Sequence, residues 1–132
     1  METAGHIYFE KTKDIEIQVI PSLDTEKTNY KDYFFYIYHI TITNGSASAV
    51  TLRNRHWIIT DGYGSVQEVR GEGVVGEQPM LEPGESFEYT SFCPLPTSTG
   101  NMRGSFEFES SKGTLFEAKV PLFFLREDKT FH

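Results

Sequence analysis

"VRGEGVVGEQP", residues 69–79, spaces Gly71, Gly73 and Gly76 as G-x-G-x-x-G, and the reading of this stretch decides between two fold classes. A dinucleotide-binding fingerprint consists of a strand, these glycines, and a helix whose N-terminus faces a pyrophosphate, with an acidic residue about 20 positions on. After Gly76 the chain runs Glu77, Gln78, Pro79, Met80, Leu81, Glu82, Pro83 and Gly84, and two prolines in that span leave no room for the helix. Glu72 and Glu77 also set negative charge beside any phosphate. The stretch therefore reads as a connection in an all-β chain, its glycines allowing positive φ and close packing where the backbone crosses from sheet to sheet.

The flanking sequence agrees. Runs rich in aromatic and β-branched residues span 14–20, 32–44, 49–61, 65–71, 86–93, 103–110 and 114–125, which predicts seven strands. Ile15, Ile17 and Val19 alternate with Asp14, Glu16 and Gln18, the period of two expected where one sheet face is buried. Between the runs stand "NGSAS" (44–48), "DGYG" (61–64), "EPGE" (82–85), "PTSTGN" (96–101) and "SSKG" (110–113), whose Gly, Pro, Asn and Asp suit turns. "PSLDTEKTNYKD" (21–32) reads as an exposed loop. No window carries a helical stripe. Short strands with such punctuation favour a sandwich of about seven antiparallel strands, and the single tryptophan, Trp57 in "NRHWIIT", is suited to the centre of an immunoglobulin-like one. With Cys93 alone, no disulfide can join the sheets, which leaves the fibronectin type III kind of packing.

A chain of 132 residues accommodates one domain, 1–132, with 1–13 and 126–132 as peripheral ends. A net charge of -7 opposes nonspecific nucleic-acid binding. No apolar run approaches the roughly 18–20 residues of a membrane span, and a lone cysteine asks for no oxidising compartment, so a cytoplasmic location is the expectation.

His6, His39, His56 and His132 lack zinc-site spacings, so no metal and no cofactor are expected. Cys93, alternating with Ser91 and Tyr89 and followed by Pro94, reads as a small core residue, with no histidine and carboxylate arranged to activate it. His56 points away from the face that holds Trp57 and is free for a surface role or a bond to a neighbouring strand. In "YFFYIYH" (33–39) alternation puts Tyr33, Phe35, Ile37 and His39 on one face, and Phe34, Tyr36, Tyr38 and Ile40 on the other. A strand apolar on both faces is normally covered by a second layer or a partner.

Residues 54–95, "NRHWIITDGYGSVQEVRGEGVVGEQPMLEPGESFEYTSFCPL", closely resemble the signature block of the ApaG family, and the likeness continues through "GNMRGSFEFE" and "PLFFL". The resemblance implies a fibronectin type III-like β-sandwich, found alone in bacteria and as a module in eukaryotic F-box and polymerase-delta-interacting proteins. It also implies an association with cobalt and magnesium efflux and with a diadenosine tetraphosphate hydrolase, without supplying a catalytic residue. The first expectation is thus a non-enzymatic module that binds another protein through a strand edge or an aromatic surface, with pairing of two chains left open. The second is a sensor of small anions or nucleotide phosphates such as pyrophosphate or diadenosine polyphosphates, in which Arg70, with Arg55 nearby, and the amides of Gly71, Gly73 and Gly76 form an anion nest.

Overall fold

A computed structural model describes residues 6–127; residues 1–5 and 128–132, within the expected peripheral ends, lie outside the described part. The described residues form nine strands and no helix: β1 (Tyr8–Thr12), β2 (Ile15–Leu23), β3 (Phe34–Asn44), β4 (Val50–Asp61), β5 (Val66–Glu72), β6 (Met80–Leu81), β7 (Ser86–Leu95), β8 (Gly100–Ser110) and β9 (Leu115–Leu125). The first sheet has the order β1-β2-β3-β7 and the second β5-β4-β8-β9, with the short β6 also paired to β4. Every pairing is antiparallel. This is the β-sandwich that the alternating pattern predicts. Two of its strands, β1 and β6, were not legible in the sequence, and β2 extends into the stretch read as loop.

Ile15, Ile17 and Val19 of β2 and Tyr36, Ile40 and Ile42 of β3 face Leu52, Phe106, Phe108 and Phe123 of the second sheet, all essentially without exposure. Burial of this apolar area is what joins the sheets, since the free Cys93 forms no bridge. Trp57, 4% exposed, sits at the centre with Tyr38, Phe106 and Phe123 presented edge-on or near it at 5.6, 5.9 and 5.9 Å between ring centroids.

A bulge in β4 sets the site. Val50 and Leu52 face inward, but the β4–β8 register shifts between Leu52 and Asn54, so that Arg53 is the extra residue. One inserted residue reverses the parity of everything after it. Beyond the bulge Arg55, Trp57 and Ile59 lie opposite Phe106, Gly104 and Met102 and so point into the sandwich, while Asn54, His56 and Ile58 point out. Nothing in the residue types announces this. Gly104 makes the arrangement feasible, because a Cβ there would stand 2.0 Å from the His56 carbonyl oxygen and 3.2 Å from the Cα of Trp57.

The glycine stretch does not cross between sheets. β5 and β6 lie along the same edge of β4, against Asn54–Thr60 and against Val50 and Thr51 respectively, and the crossing comes afterwards, at residues 82–85. Asn44, fully buried, ties that crossing down. Its side-chain amide donates to the carbonyls of Ser48 and Leu81, its backbone N–H to Glu85, and its carbonyl accepts from Gly84.

The two sides of the sandwich differ. On one, β9 packs against β1 and β2, and the Lys119 N–H donates to the Thr12 hydroxyl across the gap at 3.2 Å. On the other, β5 and β7 end their sheets without pairing to each other, and a cavity of about 300 Å³ lies between them.

Candidate functional site

The five residues expected to form an anion nest are divided by the sheet. Arg55 and Gly71 are cross-strand partners, as are His56 and Arg70, so successive pairs face opposite ways. Arg70 is on the outer face, largely exposed, and donates to Glu68 at 3.1 Å; the same carboxylate accepts from His56. The groove beside them is lined by Arg55, His56, Arg70 and Gly71 together with the carboxylates Glu72, Glu107 and Glu117, so that any anion there would meet both signs of charge. His56 thus makes the neighbouring-strand bond that its position allowed. Its hydrogen bond, together with the Arg70 charge, holds Glu68 below the usual carboxylate range.

Arg55 runs the other way, into the mouth between the sheets. Its guanidinium lies flat over Gly71, where an added Cβ would stand 2.8 Å from Nη2 and 2.9 Å from Cζ, and its Nη1 donates to the carbonyls of Glu72 and Gly73 at 2.9 and 3.0 Å. Gly71 is therefore needed for room, not for positive φ. Gly73 and Gly76 do have positive φ, at 61° and 79°, and between them Val75 has 44°. Val74 and Glu77 exchange backbone hydrogen bonds around Val75 and Gly76, a two-residue hairpin loop with both central residues left-handed, as in a type I′ turn.

The amides follow suit. Asp61 N–H donates to Ser65, and Gly73 N–H to Arg53 at 2.8 Å; by the alternation of an antiparallel ladder, Gln67, Val69, Gly71 and Gly73 turn their polar groups toward β4. Gly71 and Gly73 thus spend their N–H groups on β4, and the Gln78 side chain adds a second bond to the Arg53 carbonyl. Val66, Glu68 and Arg70 turn theirs outward.

Inside the mouth Arg55 meets groups outside the expected anion nest. Tyr89 of β7, 8% exposed, is apolar in its packing, but its hydroxyl has no hydrogen-bond partner among the described residues. Burial pushes the Tyr89 phenol up, the neighbouring Tyr38 adds to this, and the Arg55 charge opposes it. Ser91 is the cross-strand partner of Tyr38. Burial raises the Tyr38 phenol, and the Ser91 hydroxyl partly offsets that rise. Cys93 is buried, as its pattern implied, and burial pushes its thiol up to about 11, so it stays protonated at neutral pH. Val69, Val74 and Met102 complete the apolar wall. The alternation of Tyr89, Ser91 and Cys93 was visible in sequence, but that Arg55 shares their cavity depends on the bulge. Among the described residues no three His, Cys, Asp or Glu side chains are grouped to hold a metal, and no helix is long and apolar enough to cross a membrane.

An all-β sandwich, two antiparallel sheets joined by packing alone with one open side, defines an immunoglobulin-like or fibronectin type III-like domain. The sequence matches the ApaG domain family over residues 24–110, and the chain belongs to that family. It is 52% identical over 120 residues to Protein ApaG of Bradyrhizobium sp. (strain ORS 278), covering 90% of this chain and 92% of the relative. To Protein ApaG of Azoarcus sp. (strain BH72) it is 46% identical over 92% of this chain and 97% of that one. The crystal structure of the putative ApaA protein from Bordetella pertussis superposes with a TM-score of 0.86 at 44% identity, covering 91% of this chain and 98% of that one. The C-terminal domain of wzt, at 9% identity and a TM-score of 0.52 over 98% of this chain, shares the fold alone.

Proposed function

We propose that this domain is a non-enzymatic binding module that takes up an extended segment of a partner protein along β5. The supporting observation is the asymmetry of the sandwich: one side is closed by β1 and β9, whereas the other leaves β5 as a terminal strand with the outward N–H and C=O groups of Val66, Glu68 and Arg70 unpaired among the described residues. Such a row is a template for strand addition. β5 contains no proline, and the exposed Val66 and Tyr63 extend an apolar contact from its start. The other free edge, β7, is interrupted by Pro94. The cytoplasm is the compartment in which we place this binding, and any link to cobalt and magnesium tolerance runs through the partner.

Proline at position 70 removes one outward N–H without touching a bond to β4. Tagged protein used as bait in extracts of its own cells should lose its captured partner with Arg70→Pro and keep it with Arg70→Ala, both variants melting within a few degrees of the parent. Capture by Arg70→Pro at the parent level would contradict strand addition at β5.

A further inference from the structure

The cavity between β5 and β7 lies on the inner face of β5, apart from its outward edge. Three observations converge there. The hydroxyl of Tyr89 is buried and unpaired among the described residues, a cost to the fold that is relieved when the group finds a partner. Arg55, the only charged side chain in the cavity wall among the described residues, has no described carboxylate within ion-pair distance, although Arg53 and Arg70 each have one. Its Nη1 is committed to two carbonyls, while Nε and Nη2 donate to no described residue. Finally, the rim carries Val75, a β-branched residue held at φ 44°, a conformation that persists only where its surroundings impose it.

We infer that this cavity binds a small organic monocarboxylate, its carboxylate oxygens accepting from the Arg55 guanidinium and the Tyr89 hydroxyl and its apolar body lying against Val69, Val74 and Met102. The charge balance selects the class. One cation in a wall of otherwise neutral side chains is matched by one negative charge, whereas pyrophosphate or a phosphate dianion would bring surplus charge into an apolar enclosure. A volume of about 300 Å³ is at the lower end of small-molecule pockets, which suits an acid with a single ring or a short chain.

The test titrates 3-phenylpropionate, 3-phenylpropanol and pyrophosphate into the intact protein, with amide and methyl chemical shifts as the readout. Expected are saturable binding of 3-phenylpropionate at millimolar concentration or below, centred on Val69, Val74 and Met102, and at least tenfold weaker binding of the alcohol and of pyrophosphate. Tyr89→Phe should weaken the carboxylate at least tenfold while melting at or above the parent temperature, since the variant loses a hydroxyl that the free protein leaves unpaired. Arg55→Met should lose the preference for acid over alcohol. Arg70→Pro should bind the acid as the parent does, which separates this site from the β5 edge. No saturable binding up to 20 mM, on the order of the weakest specific sites, an alcohol bound as tightly as the acid, or unchanged affinity in Tyr89→Phe would each overturn the inference.

Discussion

Arg55 owes its direction to Arg53. Without the bulge, the parity set by Val50 and Leu52 would turn Arg55 and Trp57 to the outside and bring His56 in. Trp57 was legible as a core residue because a lone, mid-strand indole has few other places to go, and Cys93 because of its alternation. Alternation alone sets Arg55 on the face of Trp57, two residues on, but the cavity it reaches and the bulge behind it were not legible, because a bulge has no side-chain signature when it falls on a charged residue. The three glycines looked equivalent in sequence, yet they differ in what surrounds them. An added Cβ at Gly73 would stand 2.2 Å from the Glu77 carbonyl oxygen at φ 61°, whereas at Gly76 nothing lies within 4 Å and only φ 79° is unfavourable. Gly73→Ala should therefore destabilise by about 2–4 kcal/mol and Gly76→Ala by about 1, with Arg70→Ala within about 0.5 of the parent. Denaturant midpoints rank the three. Equal losses at Gly73 and Gly76 would mean that conformation alone, not the close approach of residue 77, restricts position 73.

At the scale of elements, β1 was hidden by the turn that follows it and β6 by its length. β1 joins β2 through Lys13 and Asp14 at φ 47° and 67°, and the loop after β5 turns at Val75 and Gly76. Both are two-residue turns of the left-handed kind for which Asn-Gly is the usual signal, and neither has it. The long strands β2, β3, β7 and β9 were readable because most of their inward positions are apolar; β6 is only Met80 and Leu81, too short to carry a period. The turn at residue 75 makes its own prediction. Val75 is 53% exposed, so replacing it gives up little burial, while asparagine tolerates positive φ far better than a β-branched side chain. Val75→Asn should raise stability by about 1 kcal/mol, or about 4 °C in melting temperature. A thermal melt checks it, and a fall would show that the valine side chain supports the cavity rim by packing that outweighs its strain.

For the molecule as a whole, sequence pattern conveys that two sheets pack but not which strands end them, because pairing order is settled by long-range contacts among strands of similar composition. The closed side of β1 and β9 and the open side of β5 and β7 appear only when the nine strands are assembled. That asymmetry is the basis for reading the domain as a binder that works from one side. Amide hydrogen exchange, residue by residue, in the free protein and in complex with its purified captured partner tests it most directly. In the free protein the amides of Gln67, Val69 and Gly71, directed at β4, should be protected and those of Val66, Glu68 and Arg70 should exchange quickly; in the complex the second set should become protected at least tenfold. Protection appearing instead along β1 and β9, with Val66, Glu68 and Arg70 still exchanging freely, would contradict the account.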